Sequence, residues 1–180
     1  MRIIAGKGKG TKLFTKSGNT TRPTADRVKE ALFSIIGDSI QDAEVLDVFA
    51  GSGALGLESL SRGASFVTFC DNDAESIDIL QKNIEKTKNS LNENVSVFYM
   101  DAEKLIKNTD KVFDIIFLDP PYGYNIDKIL KIIYERELLK SSGIIVYETE
   151  QNIEEFENFV VIDKRKYGRP YVIFLKDKKR

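Results

Sequence analysis

Apolar side chains between residues 24 and 36 recur at spacings of three and four, which places them on one face of a helix. They are Val28, Ala31, Leu32, Ile35 and Ile36. We expect Thr24 or Asp26 to cap the start of this helix and Gly37 to end it.

From residue 44 the pattern alternates between short apolar runs and helical periods. The apolar runs predict five strands, at residues 44–49, 65–70, 95–99, 113–118 and 143–147. Helices are expected between them: one ends near residue 61, two span residues 74–88 and 102–107, and one carries Ile129, Ile132 and Ile133. Strands separated by helices are typical of βαβ units, so the pattern predicts an α/β fold with a mostly parallel sheet.

Both ends of the chain depart from this alternation. Residues 159–166 and 171–176 are extended candidates on either side of Tyr167-Gly168-Arg169-Pro170, which predicts a terminal hairpin and an antiparallel edge. Gly6, Gly8 and Gly10 separate two short extended candidates near the start, which predicts a basic hairpin or arm. The 180 residues are expected to form a single domain, with the arm in residues 1–20 and the core in residues 24–176.

Composition restricts the chemistry that this chain can perform. The sequence has no histidine and one cysteine, Cys70. These counts exclude zinc sites, Ser-His triads, Cys-His pairs and an internal disulfide, and we predict no metal ion. Since the sequence has neither an apolar run of membrane-spanning length nor a signal-peptide pattern, we expect a cytoplasmic protein that does not contact membranes.

Charge is segregated along the chain, although the net charge is only −1. Residues 1–36 contain eight basic and two acidic side chains, residues 164–180 contain eight basic and one acidic, and acidic side chains predominate between them. If the two basic ends meet in space, they form a phosphate-binding surface. The alternative is a pair of solvated termini.

A glycine-rich turn follows the first predicted strand. Gly51, Gly53 and Gly56 form a G-x-G-x-x-G sequence between that strand and a helix. In nucleotide-binding folds these glycines permit, in order, a tight turn, close approach of a ligand and close packing of helix and strand. The pattern indicates a Rossmann-like core with a ligand at the carboxyl ends of its strands, and a turn without a ligand is the structural alternative.

Asp47, four residues before Gly51, distinguishes between two classes of cofactor, NAD and S-adenosylmethionine. A carboxylate is unfavourable beside the pyrophosphate of NAD, but it attracts the ammonium group of a methionine moiety, so we predict S-adenosylmethionine. Asp71 is expected to accept hydrogen bonds from ribose hydroxyls, Asp101 to accept from the adenine amino group or cap the next helix, and Asp73 to act as a helix cap. Phe49, Asn72 and Ala102 complete this set of candidate cofactor-binding residues.

The fourth predicted strand ends at Asp119, Pro120, Pro121 and Tyr122, the candidate catalytic residues. Two prolines remove two backbone donors and leave carbonyl groups free to accept. The Asp119 carboxylate and the Pro120 carbonyl can each accept one hydrogen of an amino group and orient its nitrogen toward an electrophilic methyl group. Tyr122 provides a ring for base stacking. The motif predicts methylation of an exocyclic amino group on a nucleobase and leaves the base open.

The residues also carry a family resemblance. Met1-Arg-Ile-Ile-Ala-Gly6, the run TRPTADRVKEALF at residues 21–33 and Tyr167-Gly168, together with the two motifs above, resemble the 16S ribosomal RNA guanine-N2 methyltransferases, the RsmD family. The resemblance covers essentially the whole chain. It implies a class I S-adenosylmethionine-dependent methyltransferase fold, with a seven-stranded sheet whose last strand is antiparallel. It further implies guanine N2 of small-subunit rRNA as target and Thr24 as a contact to the methionine end of the cofactor. Many relatives have Glu where this chain has Asp71, whose shorter side chain changes the reach to the ribose.

Within this resemblance the basic ends are candidates for holding RNA phosphates around the site, which would position the RNA without reading its sequence. The candidates are Arg2, Lys7, Lys9, Lys12, Lys16, Lys164, Arg165, Lys166 and Arg169. The expected partner is ribosomal RNA, within a small ribosomal subunit or an assembly intermediate, and the protein is expected to act as a monomer.

Four other functions compete with this prediction. DNA adenine-N6 methyltransferases share the Asp-Pro-Pro-Tyr motif but generally need an added recognition domain, for which 180 residues leave no room. A glutamine methyltransferase typically has Asn at the position of Asp119. An NAD oxidoreductase leaves Asp47 and the Asp-Pro-Pro-Tyr motif unexplained, and an RNA-binding assembly factor without activity leaves Asp119, Gly51 and Gly53 unexplained.

Overall fold

The computed structural model describes residues 1–16, 23–91 and 94–179, with the backbone alone for residues 23–25. The helices are α1 (Pro23–Ile36), α2 (Ala54–Ser61), α3 (Ala74–Thr87), α4 (Ala102–Asn108) and α5 (Asp127–Glu135), and a 3-10 helix (Gly37–Ile40) follows α1. The strands are β1 (Glu44–Asp47), β2 (Phe66–Asp71), β3 (Val95–Tyr99), β4 (Phe113–Leu118), β5 (Leu139–Thr149), β6 (Phe159–Lys166) and β7 (Tyr171–Asp177).

Within the described residues, the strands form one seven-stranded sheet in the order β3-β2-β1-β4-β5-β7-β6. Neighbouring strands are parallel except at β7, which runs antiparallel to both β5 and β6. The predicted fold class is confirmed. The strand order reverses at β1, which pairs with both β2 and β4, and ligands of open α/β sheets bind at such a reversal.

Helices cover both faces of the sheet and bury a separate apolar cluster on each. Along β4, Phe117 belongs to the cluster beneath α1, α2 and α3, whereas Leu118 belongs to the cluster beneath α4 and α5. Burying a side chain of this size contributes about 1.5–3 kcal/mol. Because both faces are covered, the central strands are apolar at nearly every position, which is why they are conspicuous in the sequence.

The ends of some elements differ from the sequence prediction. Helix α1 begins at Pro23, ahead of Thr24 and Asp26, so neither residue caps it; proline suits a first helical turn because that turn leaves backbone N–H groups unpaired. Asp26 accepts a hydrogen bond from Arg2 Nε at 3.0 Å instead. The end of α1 before Gly37 is confirmed. Strand β5 starts at Leu139, four residues before the predicted residue 143. Polar, exposed residues interrupt the apolar pattern after Leu139, and the sequence prediction therefore missed the start of the strand.

The N-terminal arm, described to residue 16, is a hairpin whose segments meet at a bridge between Arg2 and Lys12. It is held by Glu58 of α2, whose side chain is 0 % exposed. This carboxylate accepts from the backbone N–H groups of Ile4 at 2.8 Å and Ala5 at 3.0 Å. It also pairs with Lys29 at 3.0 Å and with Arg62 at 2.7 Å. The start of the chain is therefore packed on the core.

Among the described residues, no helix combines the length and the apolar content that crossing a bilayer requires.

Candidate active site

A cleft of about 1440 Å³ lies at the carboxyl ends of β1, β2, β4 and β5. The whole Asp-Pro-Pro-Tyr motif (residues 119–122) lines it, and so do the predicted cofactor residues Phe49, Gly51, Asp71 and Asn72. Met1, Thr15 and Lys16 of the arm and residues 167–170 between β6 and β7 line the same cleft. The structure therefore brings the two motifs together and places both ends of the chain at the cleft.

Glycine is favoured at each of the three positions of the turn for a different geometric reason. Gly51 lines the cleft with φ of +53°, and a Cβ built there meets no atom within 4 Å, so this is where a ligand can approach the backbone. A Cβ on Gly53 would lie 2.3 Å from Leu80 Cδ1. Gly53 also has a φ of +78°, which favours glycine, and the Leu80 contact adds to that preference. Gly53 is not among the described residues that line the cleft, so its predicted contact to a ligand stays a prediction. The packing role of Gly56 is as predicted, because a Cβ there would lie 2.2 Å from Phe69 Cε1.

Asp71 ties the turn to the end of β2. One carboxylate oxygen accepts from Gly51 N–H at 2.7 Å and the other from Asp73 N–H at 2.9 Å. Each oxygen retains a second lone-pair direction for a ligand hydroxyl. The carboxylate lines the cleft, as a ribose contact requires.

Asp47 lies at the end of β1, buried beneath the turn, where it accepts from Gly56 N–H at 3.2 Å. Burial raises its pKa to about 7, with a smaller raising contribution from the neighbouring carboxylates Asp119 and Asp71 and a lowering one from the Gly56 hydrogen bond. A buried carboxylate among other carboxylates is stabilised by a cation placed nearby. Asp47 is not among the described residues that line the cleft, so its contact to the ammonium group of a methionine moiety stays a prediction.

The remaining predicted cofactor residues are less directly placed. Asp101 caps α4, accepting from Lys104 N–H at 3.2 Å, and Ala102 is buried in the same helix. Neither Asp101 nor Ala102 is among the described residues that line the cleft. The side chain of Thr24 lies outside the described residues, so its contact to the cofactor stays a prediction.

The Asp-Pro-Pro-Tyr motif forms a tight loop after β4. Tyr124 N–H donates to the Pro121 carbonyl at 3.1 Å, and the ring of Tyr124 contacts that of Phe49 edge-on with centroids 5.1 Å apart. These contacts anchor the loop, while the side chain of Tyr122 is 86 % exposed in the cleft and free to stack on a base. Part of Asp119 faces the open cleft, but protein surrounds its other sides, and this burial raises its pKa.

Two residues at the site were missed by the sequence interpretation. Glu148, near the end of β5, lines the cleft, and burial together with the charge of Asp119 raises its pKa. An acidic residue directly after a predicted strand was the signal, the same one that identified Asp71. Asn83 of α3 is fully buried and donates to the carbonyls of Ser52 at 2.8 Å and Phe14 at 3.0 Å. It connects the glycine turn to the arm, and no local pattern indicates such a contact.

The predicted RNA-binding residues fall into two groups. Arg169 lines the cleft, whereas Lys7 lies beside Ser61 at the far end of α2, with its N–H donating to the Ser61 carbonyl at 2.9 Å. Helix α2 starts at the cleft, and its eight residues span about 12 Å. Lys7 and Lys9 therefore lie near the amino ends of the parallel strands, at the opposite end of the sheet from the cleft. Several candidates have partners in the protein: Arg2 pairs with Asp26, Lys164 with Glu154 and Arg165 with Asp163, and Lys166 lies over the Tyr171 ring.

Comparison with known proteins gives concordant results. A family model described as conserved hypothetical protein 95 matches residues 1–176. The putative rRNA methyltransferase YlbH of Bacillus subtilis is 38 % identical over 175 residues, covering 93 % of this chain and 94 % of the relative. Ribosomal RNA small subunit methyltransferase D of Haemophilus influenzae is 37 % identical over 173 residues, covering 93 % and 89 %. The solved structure of the putative methyltransferase yhhF from Escherichia coli has a TM-score of 0.88 at 28 % identity, covering 100 % of this chain and 99 % of that one.

Proposed function

This chain belongs to the family described as conserved hypothetical protein 95, and from that premise we propose that it methylates the exocyclic N2 of a guanine in 16S ribosomal RNA, with S-adenosylmethionine as methyl donor. The observation that carries the proposal is the Asp-Pro-Pro-Tyr motif in one cleft with the Gly51 turn. The relatives named as rRNA methyltransferases support RNA as the substrate. We further propose that the protein is a cytoplasmic monomer and acts on a small ribosomal subunit or an assembly intermediate.

The cleft fits S-adenosylmethionine better than a dinucleotide. Gly51 leaves space against the backbone, and Asp71 offers carboxylate oxygens to ribose hydroxyls. Asp47 is a buried anion that would repel a pyrophosphate but stabilise an ammonium group. When bound, the cofactor supplies an electrophilic methyl group on a sulfonium; transfer forms a nitrogen–carbon bond, breaks the sulfur–carbon bond and leaves S-adenosylhomocysteine.

Asp119 and Pro120 hold the attacking amino group in this proposal. The exocyclic amine of guanine is a weak nucleophile, because its lone pair is delocalised into the ring. Accepting its two hydrogens on the Asp119 carboxylate and the Pro120 carbonyl favours the pyramidal nitrogen and fixes its direction of attack. After transfer, the nitrogen sheds a proton, and the Asp119 carboxylate is placed to accept it. The raised pKa of Asp119 favours that step.

Tyr122 and the arm hold the base and the RNA around this reaction. The exposed Tyr122 ring offers a stacking surface to a base turned out of its helix, a contact that contributes about 1–3 kcal/mol. Lys16 of the arm lines the cleft, where it pairs with Asp73 at 2.8 Å. Arg169 lines another part of the wall, so cationic groups from both ends of the chain lie where an RNA backbone would pass.

The test is transfer of an isotopically labelled methyl group to unmodified small-subunit particles and to free 16S rRNA, followed by digestion and mass spectrometry of the nucleosides. N2-methylguanosine is the expected product. N6-methyladenosine would instead indicate an adenine methyltransferase, and no transfer to either substrate would indicate an assembly factor. A companion measurement compares ligands: S-adenosylhomocysteine, and not NAD, is expected to raise the melting temperature.

A further inference from the structure

Glu148 lines the cleft but has no part in the mechanism above. It is half-buried near the carboxyl end of β5, and it is one of five acidic residues among the described residues that line the cleft. Among the described residues, no ion pair or side-chain hydrogen bond neutralises it. A carboxylate kept in such a place is costly unless a ligand supplies hydrogen-bond donors.

The register of the sheet places Glu148 beside Asp119. Strands β4 and β5 are parallel, and Leu118, the last residue of β4, is paired with Tyr147. Asp119 is the first residue after β4, and Glu148 follows Tyr147 on β5. Phe117 and Val146 belong to one core cluster, and Leu118 and Tyr147 to the other. Both side chains line the cleft, and the charge of Asp119 acts on Glu148, as expected of residues at the ends of strands that lie about 4.8 Å apart.

Two neighbouring carboxylates offer a pair of acceptors at the spacing of adjacent strands. The Watson–Crick edge of guanine presents two adjacent donors, the N2 amino group and N1–H. Adenine and cytosine present an amino group next to a ring nitrogen that carries a lone pair, which a carboxylate repels. An enzyme that reads an extruded base contacts this edge.

We propose that Glu148 accepts a hydrogen bond from N1–H of the target guanine while Asp119 holds its N2 amino group, so that Glu148 selects guanine. The inference rests on the proposed function and assigns it a specificity-determining residue. Glu148 does not take part in the bond changes; it positions the base and rejects bases whose ring nitrogen is an acceptor. A site built around such a hydrogen bond discriminates strongly, because an analogue without the donor leaves its buried acceptor unpaired.

The test uses RNA that carries, at the methylated position, either guanine or 2-aminopurine. 2-Aminopurine keeps the 2-amino group but has a lone pair at N1 and no O6. Methyl transfer to both RNAs is measured for the wild-type protein and for Glu148→Gln, whose amide can donate to the bare N1. Dividing the guanine rate by the 2-aminopurine rate for each protein, and then comparing the two ratios, cancels the loss of O6.

We expect the wild-type protein to prefer guanine by at least about 100-fold and Glu148→Gln to lower that preference at least about tenfold. Glu155→Gln, which changes an exposed carboxylate that is not among the described residues lining the cleft, should keep the wild-type ratio. Binding of S-adenosylhomocysteine within about threefold of wild type shows that Glu148→Gln is folded.

Two outcomes would overturn the inference while leaving the proposed function intact. One is a wild-type protein that methylates 2-aminopurine as fast as guanine, which needs no variant. The other is a Glu148→Gln protein that loses activity equally on both RNAs. Absence of any transfer to the guanine RNA by wild-type protein would overturn the proposed function together with this inference.

Discussion

Four carboxylates lie near the carboxyl ends of β1, β2, β4 and β5 and have different environments: Asp47, Asp71, Asp119 and Glu148. Asp71 accepts hydrogen bonds from two backbone N–H groups, whereas Asp47 accepts one and is buried. The pKa values of Asp47, Asp119 and Glu148 are all raised by burial. Asp119 and Glu148 line the cleft, and Asp47 is buried beneath the glycine turn. Raised carboxyl pKa values that are grouped in this way are typical of functional sites, because such groups destabilise the empty protein and are stabilised by a cationic or donor-rich ligand.

Replacement of Asp47 by Asn tests this balance. The folded pKa of about 7 exceeds the ordinary 3.8, so the charge of Asp47 destabilises the wild-type protein increasingly as pH rises through that interval, and fully above pH 7. We expect Asp47→Asn to be more stable than wild type at pH 8, by roughly 2–4 kcal/mol, and to lose that advantage near pH 4. Denaturant unfolding at both pH values measures the difference.

The same variant should bind S-adenosylhomocysteine at least about tenfold more weakly, because the ammonium group loses its carboxylate. Asp78→Asn, on the exposed side of α3, is the matched control and should change neither property. Equal stability of Asp47→Asn and wild-type protein at pH 8 would contradict the environment assigned to Asp47.

At the scale of elements, two buried polar side chains attach the N-terminal arm to the core. Glu58 on α2 holds the first segment of the hairpin through two backbone N–H groups, and Asn83 on α3 accepts from Phe14 N–H at 2.7 Å on the second. Asn83 also contacts the carbonyl of Ser52 in the glycine turn. The arm, the turn and the cleft wall near Lys16 are therefore mechanically connected.

Glu58→Gln should destabilise the fold and release the arm. The change leaves Lys29, which is 5 % exposed, and Arg62 without their anionic partner. Breaking a buried ion pair costs about 3–5 kcal/mol. Urea unfolding should show that loss, and amide hydrogen exchange at Ile4 and Ala5 should accelerate beyond the global change. Glu103→Gln, which breaks a surface pair with Lys107, should cost less than about 1 kcal/mol. Comparable losses in both variants would mean that Glu58 has no special role.

The helices and strands were predictable from sequence, and the contacts of the arm were not. Continuous apolar strands and helical periodicity are local signals, so the sheet and the positions of Gly51, Asp71 and Asp119 followed from them. Glu58 reaches Ile4 across 54 residues, and Asn83 reaches Phe14 across 69. A single sequence carries no mark of such distant partners. Gly53 shows a related limit, since its conflict with Leu80 exists only once α3 is packed.

At the scale of the whole molecule, only some of the basic residues from the two ends of the chain lie at the cleft. Both basic ends reach the cleft, through Lys16 and Arg169, while Lys7 and Lys9 lie at the opposite end of the sheet. Contacts at both places require an RNA that wraps along the side of the molecule. A structured ribosomal segment can do so, whereas an isolated nucleotide cannot.

RNA affinity should fall steeply with salt, since each phosphate contact releases counterions. We expect Arg169→Gln to reduce the slope of log K against log salt by about 0.7–0.9, the value for one lost contact. The double change Lys7→Gln and Lys9→Gln should reduce it by up to twice as much if the RNA wraps. Filter binding between about 50 and 200 mM salt measures the slopes. A slope near zero for wild-type protein would contradict the role given to the basic ends.

The central claim is that Asp119 holds the amino group that receives the methyl, and single-turnover methyl transfer by Asp119→Ala tests it most directly. Removing one preorganised transition-state contact lowers rates by about 10²–10³-fold, and we expect a loss of that size with S-adenosylhomocysteine affinity within about threefold of wild type. Asp110→Ala, whose side chain is 97 % exposed on the surface, should react like wild type. Near-normal single-turnover transfer by Asp119→Ala would contradict the mechanism.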